Sequence, residues 1–209
     1  MENRIILASA SPRRKEILEK LNINFEVLPS GCEEKTTETE PGEIVRELAA
    51  IKAEDVFLKV SAETARSDEG DSGADSRQRL VVIGADTIVD HRGIIMGKPH
   101  STEEAKAMIR SYAGDTHLVH TGVCILVAND DGNVNKYNFT VTSSVNVVEM
   151  SEEEIEAYVM TGEPMDKAGA YALQGLFAPY ISGIRGDYYN IVGLPICEVY
   201  HILKKECIL

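Results

Sequence analysis

The chain has 209 residues, 44% of them hydrophobic, and a formal net charge of −13. That length and composition suit one globular domain over 1–209 with a sizeable core, and the acidic balance, without an Arg-rich or aromatic-interleaved stripe, excludes a nucleic acid polymer as partner. No apolar run approaches the roughly 18 residues of a membrane span, so no membrane partner is expected, and four dispersed cysteines without CxxC pairing fit reduced thiols and a cytoplasmic location.

Arg4 to Ala8 reads as a buried strand, followed by a helix from Pro12 to Leu21 with Ile17, Leu18 and Leu21 on one side. Ser11 is a good N-cap and Pro12 suits the first helical position. The first turn then holds Arg13, Arg14 and Lys15, whereas the positive end of a helix dipole ordinarily favours acidic residues. These cations either splay into water or meet an anion, and phosphate is the commonest anion bound at such a helix end. Phe25 to Leu28 suggests a second strand, and Pro41 opens a helix to about Val60 that carries Lys52. From 62 to 79 the composition turns to Ser, Gly, Asp and Glu without apolar pattern, which predicts an acidic loop insertion. Leu80 to Val89 is a strongly apolar strand, turning at Asp90 to Gly93 into Ile94–Met96.

Ser101 with Glu104 marks a helix through Tyr112, and Ser151 with Glu154 marks another that ends near Gly162. Between them, Leu118 to Ala128 and Tyr137 to Val148 form a long antiparallel hairpin around Asn129 to Gly132. A glycine-rich tail from Gly169 to Gly193 carries short strand-like pieces, and Pro195 starts the last helix. Cys124 and Cys197 lie in apolar runs and are expected in the core. Interleaved helices and strands with hairpins define an α/β class with an elongated mixed β-sheet flanked by helices.

Chemistry concentrates where Asp86 interrupts the apolar run Val81 to Val89. A buried carboxylate needs a cation, a metal or the open end of its strand, each of which suits a catalytic group; the plainer alternative is a cap on a neighbouring turn. The four-residue spacing to Asp90 excludes the two-residue spacing of aspartyl-phosphate phosphatases. Lys98 stands between Gly97 and Pro99, which fix the backbone where a phosphate could be met, although no Walker-type loop is present. Glu33 and Glu34 form a carboxylate pair that composition alone places on an exposed loop. Asp166 to Gly175 mixes charges, small residues and Gln174, whose amide could read a base edge. The five histidines show no zinc-binding spacing.

Taken in order, Leu7 to Arg14, Gly84-Ala-Asp-Thr87, Gly97-Lys-Pro99, Asp166 to Tyr171 and Gly186 to Pro195 resemble the Maf family of nucleoside triphosphate pyrophosphatases across nearly the whole chain. The resemblance implies an ITPase-like fold with two lobes around a nucleotide cleft. It also implies dependence on Mg²⁺ or Mn²⁺, hydrolysis to the monophosphate and pyrophosphate, a housekeeping role in removing noncanonical nucleotides, and a homodimer. By position, Asp86 matches the family's proton acceptor, and Ser9, Arg14, Glu34, Lys52, Lys98 and Asp166 match its polar cleft residues. Asp86 and Glu34 are the implied metal ligands, with Lys98 among the catalytic set. Arg13, Thr87 and Gln174 are similar to the specificity positions of the branch acting on dTTP and UTP. A non-catalytic nucleotide-binding regulator of septum formation is the alternative the resemblance carries.

Overall fold

The structure, a computed structural model, describes residues 3–68, 78–129 and 131–209. Strands β1 (Asn3–Leu7), β2 (Glu26–Val27), β3 (Arg79–His91), β4 (Ile94–Met96), β5 (Thr116–Ala128), β6 (Val134–Val147) and β7 (Ile181–Arg185) form one mixed sheet. Its order is β2-β1-β3-β5-β6-β7, with β4 paired to β3. β1 runs parallel to β2 and β3, and the remaining pairs are antiparallel. The expected elongated mixed sheet is therefore observed.

Helix α1 (Pro12–Glu19) and helix α6 (Ile196–Lys205) cover one face, where Ile17, Leu18, Val199 and Leu203 pack on Leu7, Val81, Ile83 and Val123. Helix α2 (Pro41–Asp68) covers the other, burying Ala49, Ala53 and Val56 against Ile6, Val82 and Cys124. A third cluster joins α3 (Thr102–Tyr112) and α4 (Glu152–Met160) to the far ends of β3, β5 and β6, with Ile109, Tyr112, Ile155 and Phe177 at its centre. These last two helices begin where expected. Ser101 and Ser151 each accept the N–H of the residue three further on, and Glu154 completes the capping box by accepting the Ser151 N–H.

Several expectations are corrected. Helix α2 runs to Asp68, so the start of the predicted acidic loop at 62–68 is helix; the polar run still contains helix formers such as Ala62 and Glu63. At its other end Arg79 already belongs to β3, and 69–77 lies outside the described residues. The Ser11 side chain caps nothing; instead its N–H donates to Ser9 Oγ at 3.3 Å. Cys197 is exposed, because α6 turns Val199 and Leu203 inward, whereas Cys124 is buried as expected. The glycine-rich tail holds short 3-10 turns, β7 and a small helix α5 (Tyr188–Val192) closed by Gly193.

Helix α2 lies unusually close to the sheet. A Cβ added at Gly84 would sit 2.8 Å from the Ala53 nitrogen and 2.9 Å from its Cβ, and one at Gly122 would sit 2.6 Å from the Arg46 nitrogen. Only missing side chains at these two positions let the helix backbone approach. That approach brings Lys52, on the same helix, within reach of Asp86 in β3. Gly84→Ala is expected to lower the unfolding free energy by about 2–3 kcal/mol or more, since the added carbon meets backbone that cannot rotate away. Urea denaturation measures it, and a neutral substitution would contradict the close approach.

Candidate active site

Strand β3 is longer than its parallel neighbour. β1 pairs with it only as far as Leu7 opposite Ile83, and β4 rejoins the same edge at Val89. Residues 84–88 thus form an open notch, and the chain leaving β1 turns at Ser9 into α1 beside it. Asp86 and Thr87 sit in the notch and point to opposite faces of the sheet, as successive strand residues must.

A cavity of about 550 Å³ opens over this notch. All ten residues singled out from the sequence line it: Ser9, Arg13 and Arg14 from the β1–α1 turn, Glu34 from the loop before α2, Lys52 from α2, Asp86 and Thr87 from β3, Lys98 after β4, and Asp166 and Gln174 from the segment after α4. Its apolar walls include Val89, Val119, Tyr171 and Val192, drawn from two different core clusters.

Lys52 is only 9% exposed, and its Nζ stands 2.6 Å from Asp86 Oδ1 and 2.9 Å from Glu34 Oε2. The cation that a buried Asp86 required is therefore supplied, at the open edge of its strand. Glu34 is half exposed and reaches in from its loop to the same ammonium. One positive charge between two carboxylates leaves the triad with a net charge of about −1.

Across the notch, the Arg14 guanidinium donates from Nε to the Gly193 carbonyl at 2.8 Å, from Nη1 to Ser9 Oγ at 3.1 Å and from Nη2 to Thr87 Oγ1 at 2.9 Å. Burial lowers its pKa from the ordinary value, while the charges of Asp86 and Glu34 act against that shift. Gly193 presents its carbonyl from a backbone with φ of 122°, a conformation that favours glycine. Of the three clustered cations only Arg13 and Arg14 line the cavity. Lys15 faces away, 3.8 Å from Glu19.

Arg13 and Lys98 have no hydrogen-bonding or ion-pair partner among the described residues, so both cations are open to an anion. Asp166 is paired with Lys167, which holds its carboxyl below the usual range. Gln174 donates from Nε2 to the Tyr188 hydroxyl at 3.0 Å. The Lys98 loop is tied to the Asp166 segment by Gly169 N–H donating to the Gly97 carbonyl at 3.0 Å. Sequence reasoning missed Lys167, Tyr171 and Gly193 as lining residues, though all three lie inside motifs it quoted.

An α/β protein with a charged cleft at an interrupted strand edge, cations on one wall and a carboxylate pair on the other, has the charge layout that suits a compact polyanion. The chain belongs to the Maf family: the family model described as "Maf-like protein" matches residues 4–206. Relatives named dTTP/UTP pyrophosphatase include that of Lachnoclostridium phytofermentans, 46% identical over 96% of this chain and 94% of the relative. Those of Agathobacter rectalis and Thermococcus kodakarensis are 43% and 41% identical, over 97% and 96% of this chain and 97% and 95% of theirs. Among solved structures, the Staphylococcus aureus Ham1 protein is similar over 98% of this chain and 100% of that one, at 12% identity and a TM-score of 0.40.

Behind the apolar wall, His117 is buried between Tyr112 and Tyr171 and shares a 2.7 Å hydrogen bond from Nε2 with the Tyr171 hydroxyl. Burial lowers its pKa from 6.5 to about 4. The unfolded chain takes up this proton near 6.5 and the folded one resists until about 4. His117 therefore costs nothing above pH 6.5, and stability falls through that window by about 3 kcal/mol. His120, also lowered by burial, acts in the same direction. Urea midpoints should drop as pH falls across this range. His117→Gln, which keeps a partner for Tyr171 without titrating, should remove most of the drop; an unchanged pH slope would contradict the assignment.

Proposed function

We propose that the chain hydrolyses dTTP and UTP to the nucleoside monophosphate and pyrophosphate, as a housekeeping enzyme against noncanonical or surplus nucleotides. The observation that carries this reading is the meeting of ten residues, scattered from Ser9 to Gln174, around one cavity with Lys52 joining Asp86 to Glu34. The names of the relatives support the substrate class. Arg13, Thr87 and Gln174, the residues expected to set base preference, stand on the cavity wall. For the wider setting, four free cysteines support a reducing cytoplasm, and the family resemblance supports a homodimer.

The carboxylate pair fits a hard divalent cation. Asp86 Oδ2 and Glu34 Oε1 make no hydrogen bond within the described residues, and the triad that Asp86 and Glu34 form with Lys52 is net negative. Among the described residues no group of three His, Cys, Asp or Glu side chains could hold a metal unaided. That suits Mg²⁺ or Mn²⁺, which are held by one or two carboxylates and complete their shell from water and substrate phosphates. Asp86 and Glu34 would hold the ion. When bound, it supplies charge neutralisation and acidifies water.

The protein's own groups do the positioning. Arg14, held by Gly193, Ser9 and Thr87, meets the phosphate oxygens as a preset donor rather than one recruited from water, and the partner-free cations of Lys98 and Arg13 are left to close on the same polyanion. Ser9 Oγ already accepts from Arg14 and from the Ser11 N–H, so its hydroxyl proton is left to donate into the cavity. Water attacks the α-phosphorus, the bond to the bridging oxygen breaks, and pyrophosphate departs while Asp86 takes the proton of the attacking water. In-line attack of this kind needs orientation and charge compensation more than covalent help.

Pyrophosphate release from a nucleoside triphosphate panel with Mg²⁺ tests the reading. dTTP and UTP should be turned over fastest, Asp86→Ala should abolish turnover with the fold intact, and Lys98→Ala should cost about 2–4 kcal/mol of transition-state stabilisation. An Asp86→Ala protein that hydrolyses UTP at the wild-type rate contradicts the mechanism. Tight nucleotide binding without turnover by the wild type would favour the non-catalytic regulator instead.

A further inference from the structure

Thr121 and Asn190 are fully buried polar residues, and Thr121 faces Thr87 directly across the β3–β5 ladder. Thr121 Oγ1 donates to the Asn190 carbonyl at 2.8 Å and stands 2.9 Å from Thr87 Oγ1. A hydroxyl has one hydrogen. If Thr121 gave it to Thr87, its oxygen would face the Asn190 carbonyl oxygen with no proton between them. The Thr121 proton is therefore committed to Asn190, Thr87 donates to Thr121, and the Thr87 lone pairs are what accept from Arg14 Nη2 at 2.9 Å.

The far end of this relay is anchored. Asn190 Nδ2 donates to the Val119 carbonyl at 3.0 Å and to Ser143 Oγ at 2.9 Å, while Ser143 Oγ accepts from Asp187 N–H and donates to the Asp187 carbonyl, both at 3.0 Å. Thus α5 is clamped to β5 and β6, and its carbonyl fixes the direction of every hydrogen bond back to Arg14. The guanidinium has five N–H bonds; Gly193, Ser9 and Thr87 use three, leaving one on each terminal nitrogen at the cavity wall.

We propose that Thr121 and Asn190 are positioning residues for Arg14: the one-way relay Arg14 to Thr87 to Thr121 to Asn190 aims the two remaining guanidinium N–H bonds at a phosphate group of the substrate. Thr87 then acts on the substrate through Arg14, its one hydroxyl proton being committed to Thr121. This rests on the triphosphate reading of the cavity, and the test separates the two. Inorganic tripolyphosphate with Mg²⁺, titrated by calorimetry, probes the grip without turnover, and pyrophosphate release from UTP probes the reaction.

Thr121→Val, which keeps the shape and removes the hydroxyl, should weaken tripolyphosphate binding and lower kcat/KM by about tenfold each, and Thr121→Ser should restore both. In an Arg14→Ala background the same Thr121→Val exchange should change neither, because nothing is left to aim. If Val at 121 prevents folding, Thr121→Ala carries the same cycle. The proposal is overturned if the Thr121 exchange costs as much with Arg14 absent as present, if it has no effect, if Ser fails to restore, or if the wild type does not bind tripolyphosphate. Tripolyphosphate binding with the predicted coupling but no pyrophosphate release from any nucleotide would overturn the hydrolase reading and leave the relay standing.

Discussion

A single buried ammonium organises the cleft. Lys52 holds Asp86 and Glu34 together, so a helix, a strand and a loop far apart in sequence meet at one atom. Removing such a charge from water is expensive, and the two carboxylates at 2.6 and 2.9 Å are what offset it. The geometry depends in turn on Gly84 and Gly122, whose absent side chains let α2 settle against the sheet. Packing sets the position of the charge, and the charge sets the position of the carboxylates.

Strand β3 divides the work between its two faces. Asp86 looks toward α2 and the acidic half of the site, while Thr87 looks toward α1 and Arg14. The notch left where β1 stops short gives a ligand access to both. In a protein with a net charge of −13, a triphosphate would be repelled at long range. Arg13, Arg14 and Lys98 invert that field locally, and a divalent cation on the carboxylate pair would extend the inversion to the opposite wall.

Much of this was legible in the residues. The starts of α3 and α4 follow from Ser101 and Ser151, each with Glu three positions on, and a carboxylate inside Val81 to Val89 marked the strand that carries the site. What the residues could not convey was pairing over long separations. Lys52 and Asp86 are 34 positions apart, and nothing local says that they share a hydrogen bond. The same holds for Thr121, a hydroxyl in an apolar run whose meaning appears only when β5 is laid beside β3 and below α5. Where local chemistry was ambiguous it misled: Ser11 is a good cap by type, yet Ser9 takes its N–H, and Cys197 sits among apolar residues on the outward side of α6.

The Lys52 bridge holds Asp86 and Glu34 in place. Pyrophosphate release from UTP by a folded Lys52→Met variant, at saturating Mg²⁺ and against wild type, tests it most directly. Loss of the bridge should lower turnover by about 10²–10³-fold, the scale of removing one preset electrostatic group from an active site. Pyrophosphate release at close to the wild-type rate would mean that the two carboxylates keep their places without Lys52.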